Sequence, residues 1–257
     1  MDPLFSVKDK ICIVTGGLGQ LGNEYAKTLH ERGAKVVVWD CGTPPKDYGY
    51  EYFQVDITKK DDINRALDQM EKIFGEAPDV LVNNAGLDTQ PSAPPEVSGP
   101  FENFPEEVFR EVVEVNLVGT FLCCQGVGAR MVKSGKGGSI INIGSIYGML
   151  SPVQDIYQKP FVKPVAYSAA KSGVYNLTRY LATYWAKENI RVNTVTLSGV
   201  WRETQSKEFQ ANYCNRIPIG RMAQADEFNG GIVFLASDAS KYMTGANLVM
   251  DGGWTAW

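Results

Sequence analysis

Short runs of apolar, mostly β-branched residues alternate along this chain with longer segments in which apolar residues recur every three or four positions. The first run is Ile11 to Thr15 and the last is Asn247 to Met250, and similar runs cover 36–39, 80–82, 139–143 and 191–197. A strand, a helix of ten or more residues and a further strand form a right-handed βαβ crossover. The sequence therefore predicts an α/β fold, a single-domain doubly wound parallel sheet of the Rossmann type with helices on both faces.

The helical patterns between these strands cover 21–29, 63–74, 108–135, 169–187 and 227–237. Thr58, with Asp61 three positions later, has the pattern of a capping box at the start of the second helix. Irregular stretches follow predicted strand ends at 87–104, 149–166 and 198–222. Open α/β sheets bind ligands at the carboxyl ends of their strands. We therefore expect 149–166 and 198–222 to be substrate-shaping loops within one domain spanning 1–257.

Composition excludes several classes of protein. With a net charge of -4 the chain has no excess of positive charge to neutralise phosphates, so we expect no nucleic-acid partner. We find neither a signal peptide nor a stretch apolar enough to span a bilayer, so we expect no membrane partner. The five cysteines form no CxxC and His30 is the only histidine, which predicts no metal site and a reducing, cytoplasmic location. A small-molecule substrate remains as the expected partner.

The segment from Thr15 to Gly22 joins the first predicted strand to the first predicted helix and reads TGGLGQLG. Its glycines fit both GxGxxG and GxxGxxG. Glycines at this spacing permit a tight turn and let backbone N–H groups approach a pyrophosphate at the helix N-terminus. A bare glycine turn is the alternative, but the flanking strand and helix favour a dinucleotide site. The residues predicted to contact the cofactor here are Gly16, Gly17, Gly19, Gln20, Leu21 and Gly22.

Asp40, at the end of the second predicted strand, indicates which dinucleotide binds. A carboxylate at this place can accept hydrogen bonds from the adenine ribose 2′-OH and repels a 2′-phosphate. The neighbouring residues Cys41, Gly42 and Thr43 supply no cation for such a phosphate. The sequence therefore predicts NAD rather than NADP.

With the glycine turn, four further motifs in order resemble those of the short-chain dehydrogenase/reductase family. They are Asn83-Asn84-Ala85-Gly86, Gly144-Ser145, the YxxxK of Tyr167 and Lys171, and the closing Asp251-Gly252-Gly253. The resemblance runs from about Phe5 to Gly253. It implies an NAD-dependent oxidoreductase that moves a hydride between nicotinamide and a secondary alcohol or ketone, working as a homotetramer. Within the family, segments 175–185 and 251–257 resemble flagellin-modification oxidoreductases linked to nine-carbon acidic sugars.

The glycine turn departs from the single-domain branch of this family, because Gln20 stands where that branch has a glycine. The resulting TGxxGxxG is similar to the longer branch of nucleotide-sugar epimerases and dehydratases, for whose extra substrate domain this chain has no room. A second departure follows the sixth predicted strand, where Leu197-Ser198 replaces a Pro-Gly pair. By resemblance, Val200 then meets the carboxamide and Thr204 the pyrophosphate.

Tyr167 and Lys171 lie one turn apart at the start of a predicted helix, so their side chains share a face. A free tyrosine has a pKa of about 10, and a nearby ammonium stabilises its phenolate. We expect Tyr167 to be the acid/base and Lys171 to tune it and bind the nicotinamide ribose. The alternative, without a catalytic role, is a buried tyrosine near a surface lysine. Ser145, at a strand end, would hold the substrate oxygen, although helix N-cap and turn serines are common there.

By resemblance, further residues complete the site. Asn116 matches the fourth catalytic residue, which holds a water that relays protons to the lysine; the alternative is a solvent-facing asparagine. Asp56 and Ile57 would contact adenine, although Asp56 also suits a strand-end cap before Thr58. The residues expected to line the adenosine ribose and steady the sheet are Asn83, Ala85 and Gly86.

Tyr167 follows Ser145 by 22 positions, a longer spacing than is common in the resembling family, so the segment 149–166 contains extra residues. Both of its ends are fixed beside the reacting carbon, which favours a role in substrate specificity. Its Asp155, Tyr157, Gln158 and Lys159 could hydrogen-bond a sugar. The aromatic tail from Trp254 to Trp257 favours a homo-oligomer, because it would otherwise face water. An NAD-retaining epimerase or dehydratase and a non-catalytic NAD-binding protein remain as alternatives.

Overall fold

The computed structural model describes residues 2–257. The strands in this part of the chain are β1 Ile11–Thr15, β2 Lys35–Asp40, β3 Glu51–Gln54, β4 Val80–Asn83, β5 Gly138–Ser145, β6 Ile190–Leu197 and β7 Asn247–Met250. They form one parallel sheet in the order β3-β2-β1-β4-β5-β6-β7. The predicted doubly wound parallel sheet is confirmed.

Helices cover both faces of this sheet. The helices are α1 Gln20–Glu31, α2 Lys60–Phe74, α3 Glu106–Val113, α4 Thr120–Ser134, α5 Ile146–Met149, α6 Val165–Tyr184, α7 Lys207–Cys214 and α8 Asn229–Ala236. Consecutive residues of one strand point into opposite cores. Ile13 packs with Leu67 and Val127 on one face, and Val14 packs with Leu29 and Ile232 on the other. Burial on both faces explains why the strands read as unbroken apolar runs.

Two elements and one cap differ from the sequence prediction. The edge strand β3 begins and ends on the exposed polar residues Glu51 and Gln54, and α7 lies within the stretch 198–222 that looks irregular. The capping box at Thr58 was wrong, because Lys59 is the N-cap of α2 and makes no side-chain cap. Thr58 instead donates its N–H and hydroxyl to Asp56 Oδ1, at 2.9 and 2.7 Å.

The expectation that no stretch is apolar enough to cross a bilayer was wrong by length and composition. A six-residue π-helical segment, Glu114–Gly119, joins α3 to α4, so that one helix of 29 residues runs from Glu106 to Ser134 and passes that test. Cys123, Val127 and Met131 on its inner side are fully buried in the core beside α2. The helix therefore has the packing of a core helix, and its composition alone does not indicate a membrane span.

Candidate active site

A cavity of about 670 Å³ opens at the carboxyl ends of the strands. β1 and β4 are neighbours at the centre of the sheet, and the chain winds outward from them in both directions. This is the switch point at which open α/β sheets bind ligands. The glycine turn and Asp40 line one end of the cavity, and Ser145, Tyr167 and Lys171 line the other. The cavity thus joins the two groups of residues that the sequence motifs single out.

The glycines of the turn have different tasks. Gly16 has a φ of +64°, and a Cβ there would lie 2.7 Å from Ala85 Cα. A Cβ on Gly17 would lie 2.5 Å from Val38 Cγ1, and one on Gly22 would lie 2.2 Å from Gly16 O. Gly17 and Gly22 therefore allow close packing and do not themselves line the cavity, in contrast to the expectation that they contact the cofactor.

The amino end of α1 fits an anionic pyrophosphate. Its N-cap, Gly19, offers no side-chain cap, and the first N–H groups of a helix have no partner within the helix. A Cβ on Gly19 would meet only Gly16 O, at 3.3 Å, so the space before the helix is open. Gly19, Gln20 and Leu21 line the cavity at this point. Free backbone donors facing an open cradle are the arrangement that a dinucleotide phosphate requires.

Asn84 fixes the glycine turn and was missed in the sequence. Its Nδ2 donates to Thr15 O at 3.0 Å and to Gly16 O at 3.1 Å, and it lines the cavity with Ala85 and Gly86. Asn83 instead points into the sheet, where its Nδ2 donates to Asn142 Oδ1 at 2.8 Å. The expectation that Asn83 lines the ribose does not match its position. The second asparagine of the Asn83-Asn84-Ala85-Gly86 motif was the sequence signal that could have identified Asn84.

Asp40 is held in place by two backbone donors. Leu18 N donates to its Oδ2 at 3.1 Å, and Gly42 N donates to its Oδ1 at 3.0 Å. Of the residues that the structure describes, the cations lining the cavity are Lys163, Lys171 and Arg202, and none of them contacts Asp40. The carboxylate therefore faces this end of the cavity without a neighbouring positive charge. Asp56 and Ile57, predicted to contact adenine, line the same end.

Gln20, the residue that departs from the family pattern, connects the turn to the segment after β6. Its Nε2 donates to Trp201 O at 3.1 Å, and its Oε1 accepts from Arg202 Nε at 2.9 Å. The neighbouring residue Val200 pairs with Ala223 in a short parallel bridge and lines the cavity, as expected. Thr204 does not line it, so its expected contact with the pyrophosphate does not match the structure.

Tyr167 and Ser145 lie together at the other end of the cavity. Ser145 ends β5, and hydrogen bonding by its hydroxyl lowers the pKa of Tyr167. Burial outweighs that bond and raises the pKa of Tyr167 well above its ordinary value, and the negative charge of Asp88 adds to the rise. The side chain of Tyr167, without a bound cofactor, is therefore a protonated phenol at neutral pH.

Lys171 is buried one helical turn after Tyr167. Its Nζ donates to Ile143 O at 2.7 Å and lies 5.8 Å from the centroid of the Tyr167 ring. Burial lowers the pKa of Lys171 to about 8, against a small opposing effect of Asp88. At pH 7 the ammonium form therefore still dominates, and a proton can leave it close to the working pH. The alternative of a surface lysine does not fit this position.

Asn116 is buried within the π-helical segment Glu114–Gly119, not exposed on a regular helix. Its Oδ1 accepts from Leu87 N at 2.7 Å and its Nδ2 donates to Leu87 O at 2.8 Å. A Cβ on Gly86 would lie 3.2 Å from Asn116 Oδ1 and 3.8 Å from Lys171 Nζ. Asn116 therefore fixes the segment after β4 beside the lysine. π-Helical segments of this kind recur at functional sites.

The extra segment 149–166 covers the substrate end of the cavity. Tyr157 lines the cavity and shares a 2.9 Å hydrogen bond with the Tyr147 hydroxyl. The other three residues expected to bind a sugar are exposed outside the cavity: Asp155, Gln158 and Lys159. Lys163, which the sequence did not single out, lines the cavity instead.

Aromatic packing connects this segment to the second predicted loop and to the carboxyl terminus. Tyr157 stacks on Phe209 of α7 at 5.4 Å between ring centroids, and Tyr213 of α7 lies 4.5 Å from Trp254. Trp254 is 5% exposed, whereas Trp257 is 78% exposed. The interpretation of Trp254 as a residue that would face water without a partner subunit was therefore wrong, because the fold of one chain already buries it.

Comparison with known proteins gives consistent matches over nearly the whole chain. A family model described as enoyl-(acyl carrier protein) reductase matches residues 19–255. An NAD-dependent glycerol dehydrogenase of Listeria innocua is 33% identical over 265 residues, which cover 99% of this chain and 97% of the relative. A 2-dehydro-3-deoxy-D-gluconate 5-dehydrogenase of Escherichia coli is 34% identical, covering 98% of each.

Solved structures agree with this result. A short-chain dehydrogenase of Leptospira borgpetersenii with bound NAD+ is 38% identical, with a TM-score of 0.88 over 97% of this chain and 94% of that one. A gluconate 5-dehydrogenase of Burkholderia cenocepacia in complex with NADP and tartrate is 28% identical, with a TM-score of 0.86 over 99% and 98%. The chain is thus similar throughout its length to dehydrogenases bound to either nicotinamide dinucleotide.

Proposed function

Because the chain belongs to the short-chain dehydrogenase/reductase family, we propose that it is an NAD-dependent dehydrogenase of a polyol or sugar. It is an oxidoreductase that transfers a hydride between a nicotinamide cofactor and a secondary alcohol or ketone. The observation that carries the proposal is one continuous cavity, with a dinucleotide cradle at one end and Ser145, Tyr167 and Lys171 at the other.

The preference for NAD rests on Asp40. Its carboxylate faces the cavity without a neighbouring cation, so it would accept hydrogen bonds from a ribose hydroxyl and repel a 2′-phosphate. The similar solved structures include one with NAD+ and one with NADP, so they favour neither cofactor. The preference for NAD is therefore argued from the charge around Asp40.

The proposed roles follow from the positions of the side chains. In alcohol oxidation, Tyr167 accepts the substrate's hydroxyl proton and Ser145 donates a hydrogen bond to the same oxygen. NAD, when bound, supplies the hydride acceptor and a positive ring that favours the phenolate. Lys171 adds its own positive charge and, with a pKa of about 8, can release a proton to a relay beside Asn116.

The substrate class rests on the chemistry of the substrate end. Asp88, Gln90, Tyr157 and Lys163 give it several hydrogen-bonding groups, which an apolar ketone would not need. The similar proteins include a D-threitol dehydrogenase that is 31% identical and an L-xylulose reductase that is 30% identical. The finer resemblance to flagellin-modification oxidoreductases stays a prediction.

A substrate screen tests this function. Purified protein is incubated with NAD or NADP and a panel of alditols, sugars, nucleotide sugars and apolar alcohols, and absorbance at the nicotinamide band is followed. We expect NADH to accumulate with each turnover of an alditol or sugar. If the product forms while no free NADH appears, the protein is instead an epimerase or dehydratase that retains its cofactor. If no alcohol on the panel reduces either cofactor, the proposal is wrong.

We also propose that the protein is a homo-oligomer, by family resemblance a tetramer, located in the cytoplasm. The support is an exposed aromatic face on α6, where Tyr180 and Tyr184 stack on each other and are 61% and 66% exposed. Phe121 of the adjacent α4 is 42% exposed. Apolar area of this kind on a globular surface favours a second copy of the chain as its cover. A monomer by light scattering at micromolar concentration would contradict the proposal.

A further inference from the structure

Asp88 and Lys163 form an ion pair inside the cavity, outside the catalytic residues already described. Lys163 Nζ lies 2.5 Å from Asp88 Oδ1 and donates a second hydrogen bond to Thr89 O at 2.9 Å. The lysine side chain is 4% exposed, whereas that of Asp88 is 39% exposed. The cation is therefore mostly covered by protein and borders the cavity, and its carboxylate partner is more open to a ligand.

The backbone around Lys163 is fixed by its own segment. Lys163 N donates to Gln154 Oε1 at 2.9 Å, and Gln154 Nε2 donates back to Lys163 O at 3.0 Å. The preceding Val162 N donates to Ser98 O at 2.8 Å, which ties the segment to the loop after β4. The ammonium therefore has a defined place, in contrast to an ordinary surface lysine.

This place is beside the reacting group. Lys163 Nζ lies 5.3 Å from the centroid of the Tyr167 ring, closer than the 5.8 Å of Lys171 Nζ. An ammonium has three N–H donors and two of them are used, so one remains. The carboxylate of Asp88 likewise keeps Oδ2 as an acceptor. Together the pair offers a donor and an acceptor to a molecule held against Tyr167.

We propose that the Asp88–Lys163 pair sets the enzyme's preference for substrate charge: it selects a neutral polyhydroxylated molecule over a carboxylate of the same length. This inference rests on the proposed dehydrogenase function and adds the residues that set its specificity. A diol can donate a hydrogen bond from one hydroxyl to Asp88 and accept a hydrogen bond from Lys163 without separating the two residues. A substrate carboxylate would have to compete with Asp88 for Lys163 and would face the negative charge of Asp88 at close range.

Two single substitutions should move the preference in opposite directions. Asp88→Asn keeps the shape and a hydrogen bond to Lys163 but removes the charge, so the buried ammonium then attracts an anion. Lys163→Met keeps the apolar stem and removes the cation, so Asp88 alone repels an anion. We expect the ratio of kcat/KM for carboxylate over polyol to rise at least about ten-fold in the first variant and to fall at least about ten-fold in the second.

The probes are three matched pairs: threitol and threonate, xylitol and xylonate, and glucitol and gluconate, each with saturating NAD. The control variants are Asp155→Asn and Lys159→Gln, which change the same charges at exposed positions of the same segment. Melting temperature and NAD affinity are measured for every variant. The controls should leave the substrate ratio, the melting temperature and NAD affinity at wild-type values.

Each outcome separates the inference from the function on which it rests. If the wild type oxidises none of the six compounds, the polyol function fails and the inference fails with it. If it oxidises them but both variants change polyol and carboxylate by the same factor, the pair is only structural and the inference alone fails. Should a variant not fold, inhibition of the wild type decides: tighter competitive binding of the carboxylate member of each pair would overturn the inference, and tighter binding of the polyol would support it.

Discussion

The two ends of the cavity are built by different means. At the cofactor end, backbone N–H groups and the glycines of one eight-residue segment form the cradle, and Asp40 and Asn84 hold it from neighbouring strands. At the substrate end, side chains come together from segments far apart in the chain, through aromatic packing and the Asp88–Lys163 pair. The proposed cofactor site is thus shaped by local backbone geometry, and the proposed substrate site by packing between loops.

Tyr167→Phe should produce the largest effect and should confine it to the substrate end. The substitution keeps the ring packing and removes the hydroxyl whose pKa Ser145 lowers, so the acid/base is lost while the fold remains. We expect kcat to fall by about 10²–10⁴-fold, the usual contribution of general acid/base catalysis. Steady-state kinetics measure the fall, and NAD binding by calorimetry should match the wild type. Retention of most activity would refute the role of Tyr167.

Gly22→Ala should break the cofactor end instead. Its Cβ would lie 2.2 Å from Gly16 O, a fixed backbone atom, so the turn or α1 must shift. Overpacking of this kind costs about 1–3 kcal/mol, so we expect a lower melting temperature and NAD affinity reduced about 10- to 100-fold.

Gly230→Ala is the matched control for Gly22→Ala. Gly230 lies in α8, and a Cβ there would meet nothing within 4 Å. Alanine is a better helix former than glycine, so this variant should match or exceed the wild-type melting temperature. Equal behaviour of the two variants would show that the close approach at Gly22 does not shape the site.

The same contrast explains how far the sequence could predict the molecule. The order of most strands and helices follows from hydrophobic periodicity, and the cradle and the Ser145 end of β5 follow from short motifs, because each depends on residues close together in the chain. Lys163 carries no motif, and only the packing of its segment against Ser98 and Tyr167 brings it into the cavity. Trp254 was misinterpreted for the same reason, since its cover comes from α7, a helix that the pattern did not predict.

Asp40→Ala sharpens the contrast within the cofactor end, where one side chain acts on one part of the dinucleotide. Without the carboxylate, a 2′-phosphate is no longer repelled and a ribose hydroxyl loses its acceptor. We expect the ratio of kcat/KM for NAD over NADP to fall by about ten-fold or more, since hydrogen bonds to charged groups contribute about 1.5–3 kcal/mol. The exposed Asp47→Ala, in the same loop, should leave the ratio unchanged. A wild-type preference for NADP would contradict the assignment.

The pH profile gives the smallest and most specific effect, because two substitutions at the substrate end should displace it in opposite directions. Alcohol oxidation needs the phenolate of Tyr167, so kcat/KM rises with pH as its pKa is approached. Asp88 raises that pKa through its negative charge, and the Ser145 hydroxyl lowers it through a hydrogen bond. Asp88→Asn should therefore move the rising limb of the profile to lower pH. Ser145→Ala should move it to higher pH on the residual activity. A common direction for both variants would show that the limb reports a group other than Tyr167, and the acid/base would then have to be sought elsewhere in the cavity.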